Sequence, residues 1–303
     1  MIETSLCFGA QGNLVGTICL PAAASNRAGA PARAAIVLFN AGIVHRIGPH
    51  RINVTLARAL AAIGIASIRF DLAGLGDSDN DASTRSFEAQ AVADIGAAMD
   101  ALTAATGVRQ FGLFGFCSGA FHSFNAAQAD VRIIGILLFE AYRYATLQST
   151  CRRLWLRFRL HGVVPNLLRL AGKYTGQLRP GTDPAASNAA AVKVSGAGFI
   201  GESEPRAAFA AAMRSLLARG VDVAMVFAGD GLETYNYAGQ FAAAMRGRGI
   251  AARIPVTFLP AIDHVATGKP AQRQLIDSVL PWALRLARPQ ASPATPPVLQ
   301  LSD

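Results

Sequence analysis

Residues 111–124 read FGLFGFCSGAFHSF. The first six are apolar or glycine, as in a strand buried on both faces, and the last six are small and aromatic residues suited to a helix. Between them, Gly115-Phe116-Cys117-Ser118-Gly119 sets a glycine two residues to either side of a cysteine. A strand that turns directly into a helix strains the corner residue, and glycines at −2 and +2 remove side chains that would collide there. In this frame Cys117 is the corner side chain, presented as a nucleophile. Ser118 is out of frame, since its −2 position is Phe116. The alternative for Cys117 is a small buried hydrophobe.

The pattern repeats on both sides of the corner. TSLCFGAQGNLVGTICLP predicts a hairpin about Gln11-Gly12-Asn13, and AAIVLFNAG (34–42) a buried strand. INVTLARALAAIGI (52–65) has helical spacing, and IASIRFDLAGLGDSD is a strand running into a Gly/Asp loop. Residues 86–106 predict a helix with Ser86 as N-cap, and 131–142 a further strand. The alternation stops over 143–200 and resumes from 201 to 288; RPQASPATPPVLQLSD predicts a disordered tail over 289–303. Strands alternating with helices imply an α/β class with a mostly parallel sheet of about eight strands, helices on both faces, and a site at the carboxyl ends of the strands.

A chain of 303 residues, 52% hydrophobic and 16% charged, is long enough for one large domain with an insertion. No uninterrupted apolar run reaches the roughly 18 residues of a spanning helix. The N-terminal stretch carries Glu3 and no basic region, unlike a signal peptide, so the expectation is a soluble, cytoplasmic protein. Cys7, Cys19, Cys117 and Cys151 are too scattered for a zinc motif, and neither a metal nor a cofactor is expected. Of the net charge of +9, eight charges come from residues 143–179, which hold eight Arg or Lys and no Asp or Glu. No nucleic-acid motif accompanies them.

LFNAG, RFDLAGLGDSD, the Cys117 corner, VFAGDG and IDH follow one another in an order that resembles the α/β-hydrolase superfamily. The runs FNAGIVHRIGPHR and FCSGAFH narrow the likeness to the serine-aminopeptidase-like branch that includes exosortase-associated hydrolases, with cysteine in place of the nucleophilic serine. The resemblance covers roughly residues 1–288. It implies an α/β-hydrolase core over 1–142 and 201–288 and a helical cap over 143–200. It also implies the order nucleophile, acid, histidine: Cys117, Asp230 and His264, with Glu140 at the end of the preceding strand as the substitute acid. The implied oxyanion hole uses backbone N–H groups of Ser118 and of Ala41 or Gly42. Asn40, His45 and Trp155 are the expected substrate-binding residues.

A thiol ionises far more readily than a hydroxyl, and an acyl-cysteine is a thioester that retains acyl-transfer potential. The expected activity is therefore an acyl hydrolase of the thioesterase or esterase type. An acyltransferase using the same triad is the first alternative, and a non-catalytic binding protein on a hydrolase scaffold the second. The basic cap has three readings: a solvated helix roofing the pocket, a docking surface for an acidic acyl-carrier protein or coenzyme A, or a membrane-surface contact.

Overall fold

The computed structural model describes residues 1–22, 32–161, 204–229 and 235–288. Strands β1 (Ile2–Phe8) and β2 (Leu14–Leu20) form the expected hairpin, with Phe8 paired to Leu14. There follow β3 (Ala34–Leu38), α1 (Ile52–Ala62), β4 (Ser67–Phe70), α2 (Phe87–Thr106), β5 (Gln110–Phe116), α3 (Ser118–Ala129) and β6 (Ile133–Phe139). Then come α4 (Leu147–His161), α5 (Arg206–Ala218), β7 (Asp222–Ala228), α6 (Gln240–Ala244), β8 (Val256–Leu259) and α7 (Gly268–Ala287). The eight strands form one sheet in the order β1-β2-β4-β3-β5-β6-β7-β8. Pairs β1/β2 and β2/β4 are antiparallel; the rest are parallel.

Alternate side chains of the central strands enter two separate cores, as the two-residue period of a strand requires. Val37, Leu113, Leu138 and Met225 pack beneath α2, α3 and α5, while Ile36, Leu38, Phe114, Leu137 and Val226 pack beneath α1 and α7. Two strand glycines make the second core possible. A Cβ on Gly112 would lie 2.7 Å from Leu286, and one on Gly135 2.6 Å from the same side chain, so α7 lies directly on β5 and β6. Helix α2 begins as its sequence predicts: Ser86 Oγ accepts from the Ala89 N–H at 3.3 Å, and Gly107 ends it at φ 74°.

The expected cap is described only through α4. The rest of the cap, the tail over 289–303 and the proposed acid Asp230 lie outside the described residues. No helix among the described residues is long and apolar enough to cross a membrane.

Candidate active site

Cys117 sits between β5 and α3 at φ 53° and ψ −115°, a conformation that L-residues rarely hold. Backbone bonds fix it: the Cys117 N–H donates to Phe139 O at 2.9 Å, and its carbonyl accepts from the Ala120 N–H at 3.0 Å. The flanking glycines are needed for space. A Cβ on Gly115 would lie 2.5 Å from Ala120 Cα and 2.7 Å from Gly119 O, and one on Gly119 2.9 Å from Asn40 O. These neighbours are backbone and cannot rotate away. Gly115→Ala should destabilise the protein by about 1–3 kcal/mol in urea titration. Gly96→Ala, at an open position of α2 where the nearest atom is 4.0 Å away, should stabilise it by about 0.5–1 kcal/mol. Equal and small effects would mean that the corner is not tightly packed.

His264, in the loop between β8 and α7, lies close enough to Cys117 for each side chain to shift the other's ionisation. Its Nδ1 lies 3.1 Å from Glu140 Oε2, which leaves Nε2 to meet the sulfur. The loop is held against β7, where the Gly229 N–H donates to Ile262 O at 3.0 Å; a Cβ on Gly229 would lie 2.2 Å from Pro260 O. Asp263 faces away, accepting from the Thr267 N–H at 2.6 Å.

Glu140 immediately follows β6 at φ 62°, and its side chain is fully buried. Its Oε1 accepts from the Ala228 N–H at 2.5 Å, and its Oε2 accepts from both His264 and Arg143 Nη1, each at 3.1 Å. Among the described residues Glu140 is thus the carboxylate on His264.

The site's charges reinforce one another. Burial pushes the Cys117 thiol up, but the His264 hydrogen bond and charge, the Ser118 N–H and the charge of Arg143 together bring it below its ordinary value. Bonds to Cys117 and Glu140 outweigh burial at His264 and raise it to about 10. The sulfur also lies at the N-terminus of α3, where the helix dipole favours a thiolate. Both shifts run toward a thiolate–imidazolium pair.

The loop after β3 closes over this corner. Gly42 N–H donates to Ser118 Oγ at 2.6 Å, while the Ser118 N–H faces the Cys117 sulfur; Ala41 is bridged to Val44. Asn40, expected at the substrate, is instead 1% exposed and internally bonded: Nδ2 donates to Val44 O and Asp71 Oδ1, both at 2.8 Å, and Oδ1 accepts from the Leu72 N–H at 2.7 Å. Asp71 was not singled out in the sequence. Register carries the signal, since Leu38 pairs with Arg69 and two residues further along Asn40 meets Asp71.

His45 joins Asp71 and Asp77 in a cluster of metal-ligand type, with ligand atoms within 4.8 Å of one another. Arg46 Nη1 already lies 2.6 Å from both carboxylates and supplies the cation. Trp155 points outward from α4, 60% exposed, with the Arg159 guanidinium over its ring at 5.3 Å.

No protein-family model matches the chain, and no curated protein matches it. Solved structures do, over nearly the whole length. An α/β serine hydrolase without lid from Xanthomonas campestris is 13% identical over 96% of each chain, with a TM-score of 0.53. The fold is that of the α/β hydrolases. A thermophilic esterase from Thermogutta terrifontis is 14% identical over 95% of this chain and 100% of that one, with a TM-score of 0.53. Est1E from Butyrivibrio proteoclasticus is 14% identical, covering 93% and 98%, with a TM-score of 0.52.

Proposed function

We propose that the protein is an acyl hydrolase of the thioesterase or esterase type, working through Cys117, His264 and Glu140 and a covalent acyl-cysteine. The observation that carries the reading is the continuous chain from a strained corner cysteine through His264 to a fully buried glutamate. The Cys117 thiolate attacks the acyl carbon, forming a C–S bond while the carbonyl π electrons move onto oxygen. When the tetrahedral intermediate collapses, the bond to the leaving group breaks and His264 Nε2–H protonates the departing sulfur or oxygen. Neutral His264 then takes a proton from water, whose oxygen attacks the thioester carbon; the sulfur leaves, restoring the thiolate and imidazolium.

Backbone N–H groups of Ser118 and Gly42 are the candidate oxyanion donors. At rest both are engaged, by the Cys117 sulfur and by Ser118 Oγ, so the oxyanion must take them over as it forms.

The basic segment 143–179 supports an anionic acyl donor, a coenzyme A thioester or an acidic carrier protein. Arg159 is exposed on α4, whereas Arg152 is committed to Asn236 O at 3.3 Å and to the Tyr237 ring at 5.3 Å.

Intact mass measured after incubation with short-chain acyl thioesters, both coenzyme A-linked and small neutral ones, tests the reading. An acyl adduct mapped to Cys117 that decays in water is expected. Decay only when an amine or alcohol is added would make the enzyme an acyltransferase. An adduct on Cys7, Cys19 or Cys151 alone, or none, would sink the proposal.

A further inference from the structure

The chain leaves β6 through an unusual turn. Glu140 and Tyr142 both have positive φ, 62° and 56°, and neither is glycine. Such conformations cost about 1–3 kcal/mol each and persist only where the surroundings enforce them. Here the Glu140 N–H donates to Val226 O at 2.9 Å, and the Tyr142 ring is held by Phe121, Phe124 and Phe209 at 4.7, 5.3 and 4.4 Å. The turn brings Arg143 back onto Glu140, so that Arg143 Nη1 shares Oε2 with His264 Nδ1.

Glu140 therefore does not serve His264 alone. One carboxylate oxygen is divided between an imidazole that gains and loses a proton and a guanidinium that never loses its charge. Arg143 is itself 32% exposed in its side chain and has N–H groups beyond the one on Glu140, yet its charge also reaches Cys117. Glu140 also has an anchor that does not involve Arg143, through Oε1 to the Ala228 N–H at the end of β7.

We propose that Arg143 is a positioning residue that sets the pH window in which Cys117 and His264 form their ion pair. The inference rests on the catalytic reading of that pair. A fixed positive charge favours every step that releases a proton from the site, so it moves both edges of the window down. Sharing Oε2 adds to this at the upper edge, because it weakens the acceptor that stabilises the imidazolium. The edges belong to the pair and not to either residue alone. Among the described residues, the other groups facing the pair are the Ser118 N–H at the sulfur and the Phe116 ring beside the imidazole at 6.1 Å. Tyr235 lies within reach of the Glu140 charge, and it stays protonated near neutrality because burial pushes it up to about 12.

The test is the pH profile of Cys117 alkylation by iodoacetamide, with the His264 ring proton signals followed by NMR, in wild type, Arg143→Met and Arg143→Lys. In Arg143→Met both edges should move to higher pH, the upper one further, and alkylation at a fixed pH on the acid limb should slow by about three- to tenfold. Arg143→Lys keeps the charge and should restore most of the lower edge. Unshifted edges in Arg143→Met would overturn the proposal. A fall of the upper edge would overturn it too, since Arg143 would then merely hold Glu140 against His264. If wild-type Cys117 shows no accelerated alkylation at all, the catalytic reading beneath the proposal fails instead. Should Arg143→Met not fold, Arg143→Gln, which keeps a donor on Oε2 without the charge, must still shift the lower edge.

Discussion

Glu140→Gln is expected to lower turnover by about 10⁴-fold, the scale on which a triad fails when its acid can no longer select the imidazole tautomer. The reason lies in the fixed donors around the side chain. Ala228 N–H faces one carboxylate oxygen, and His264 Nδ1 and Arg143 Nη1 face the other. Glutamine must set its NH₂ against one of these. Turned toward His264, it forces Nδ1 to accept and the proton onto Nε2, so the imidazole can no longer take a proton at the sulfur. Turned toward Ala228, it buries two donors face to face, at about 1–3 kcal/mol.

The same substitution should change how stability depends on pH. His264 is raised from 6.5 to about 10, so its pairing stabilises the fold fully below pH 6.5 and ceases to do so as the pH rises through about 10. Without the carboxylate this loss should move to lower pH in thermal melts. Asp230→Asn is the decisive control. If it abolishes turnover while Glu140→Gln leaves it within a few-fold, the acid has been misassigned.

Asp230 lies outside the described residues, and the two candidate acids differ in how visible they are in a sequence. The place after the penultimate parallel strand is visible in a linear chain, and Gly229-Asp230-Gly231 fills it. What brings Glu140 to His264 is a pair of left-handed residues, Glu140 and Tyr142, at the end of β6. Neither residue type announces that conformation, and it is imposed by Phe121, Phe124 and Phe209 from two other elements. Glu140 was recognisable only as a substitute.

The corner after β5 is different, since its requirements are local. Two glycines at fixed spacing, a buried strand before them and a helix after them are all properties of a few consecutive residues, and so were the eight strands that surround it. Asn40 lay between these cases. Its position after β3 was legible, but its burial depends on Asp71, thirty-one residues away, and became plain only with the β3/β4 register. The apolar residues around Trp155 predict a pocket lining, whereas α4 turns it outward beneath Arg159.

Cys117→Ala should abolish acyl-enzyme formation and lower turnover by about 10⁴-fold or more, since the remaining groups can only bind and polarise the substrate. Cys117→Ser is the more informative change, because it keeps a nucleophile and alters only its acidity. In the proposed mechanism the proton resides on His264 before attack, the direction in which the contacts of both groups shift them, and such a thiolate needs no base when it attacks. A serine hydroxyl stays protonated and must be deprotonated during attack by a neutral imidazole. That imidazole has lost its anionic sulfur partner but keeps Glu140, so it should titrate below the wild-type value of about 10 and still above 6.5. At neutral pH much of it is then in the form that cannot act as base. Turnover of the serine variant should fall by about 10²–10⁴-fold there, the usual weight of general acid–base catalysis, and recover along a rising alkaline limb. The wild type should instead show a plateau between two limbs. A serine variant that matches the wild type at every pH would mean that the resting ion pair contributes nothing, and that the cysteine at this corner is tolerated in a serine hydrolase frame without being used as a thiolate.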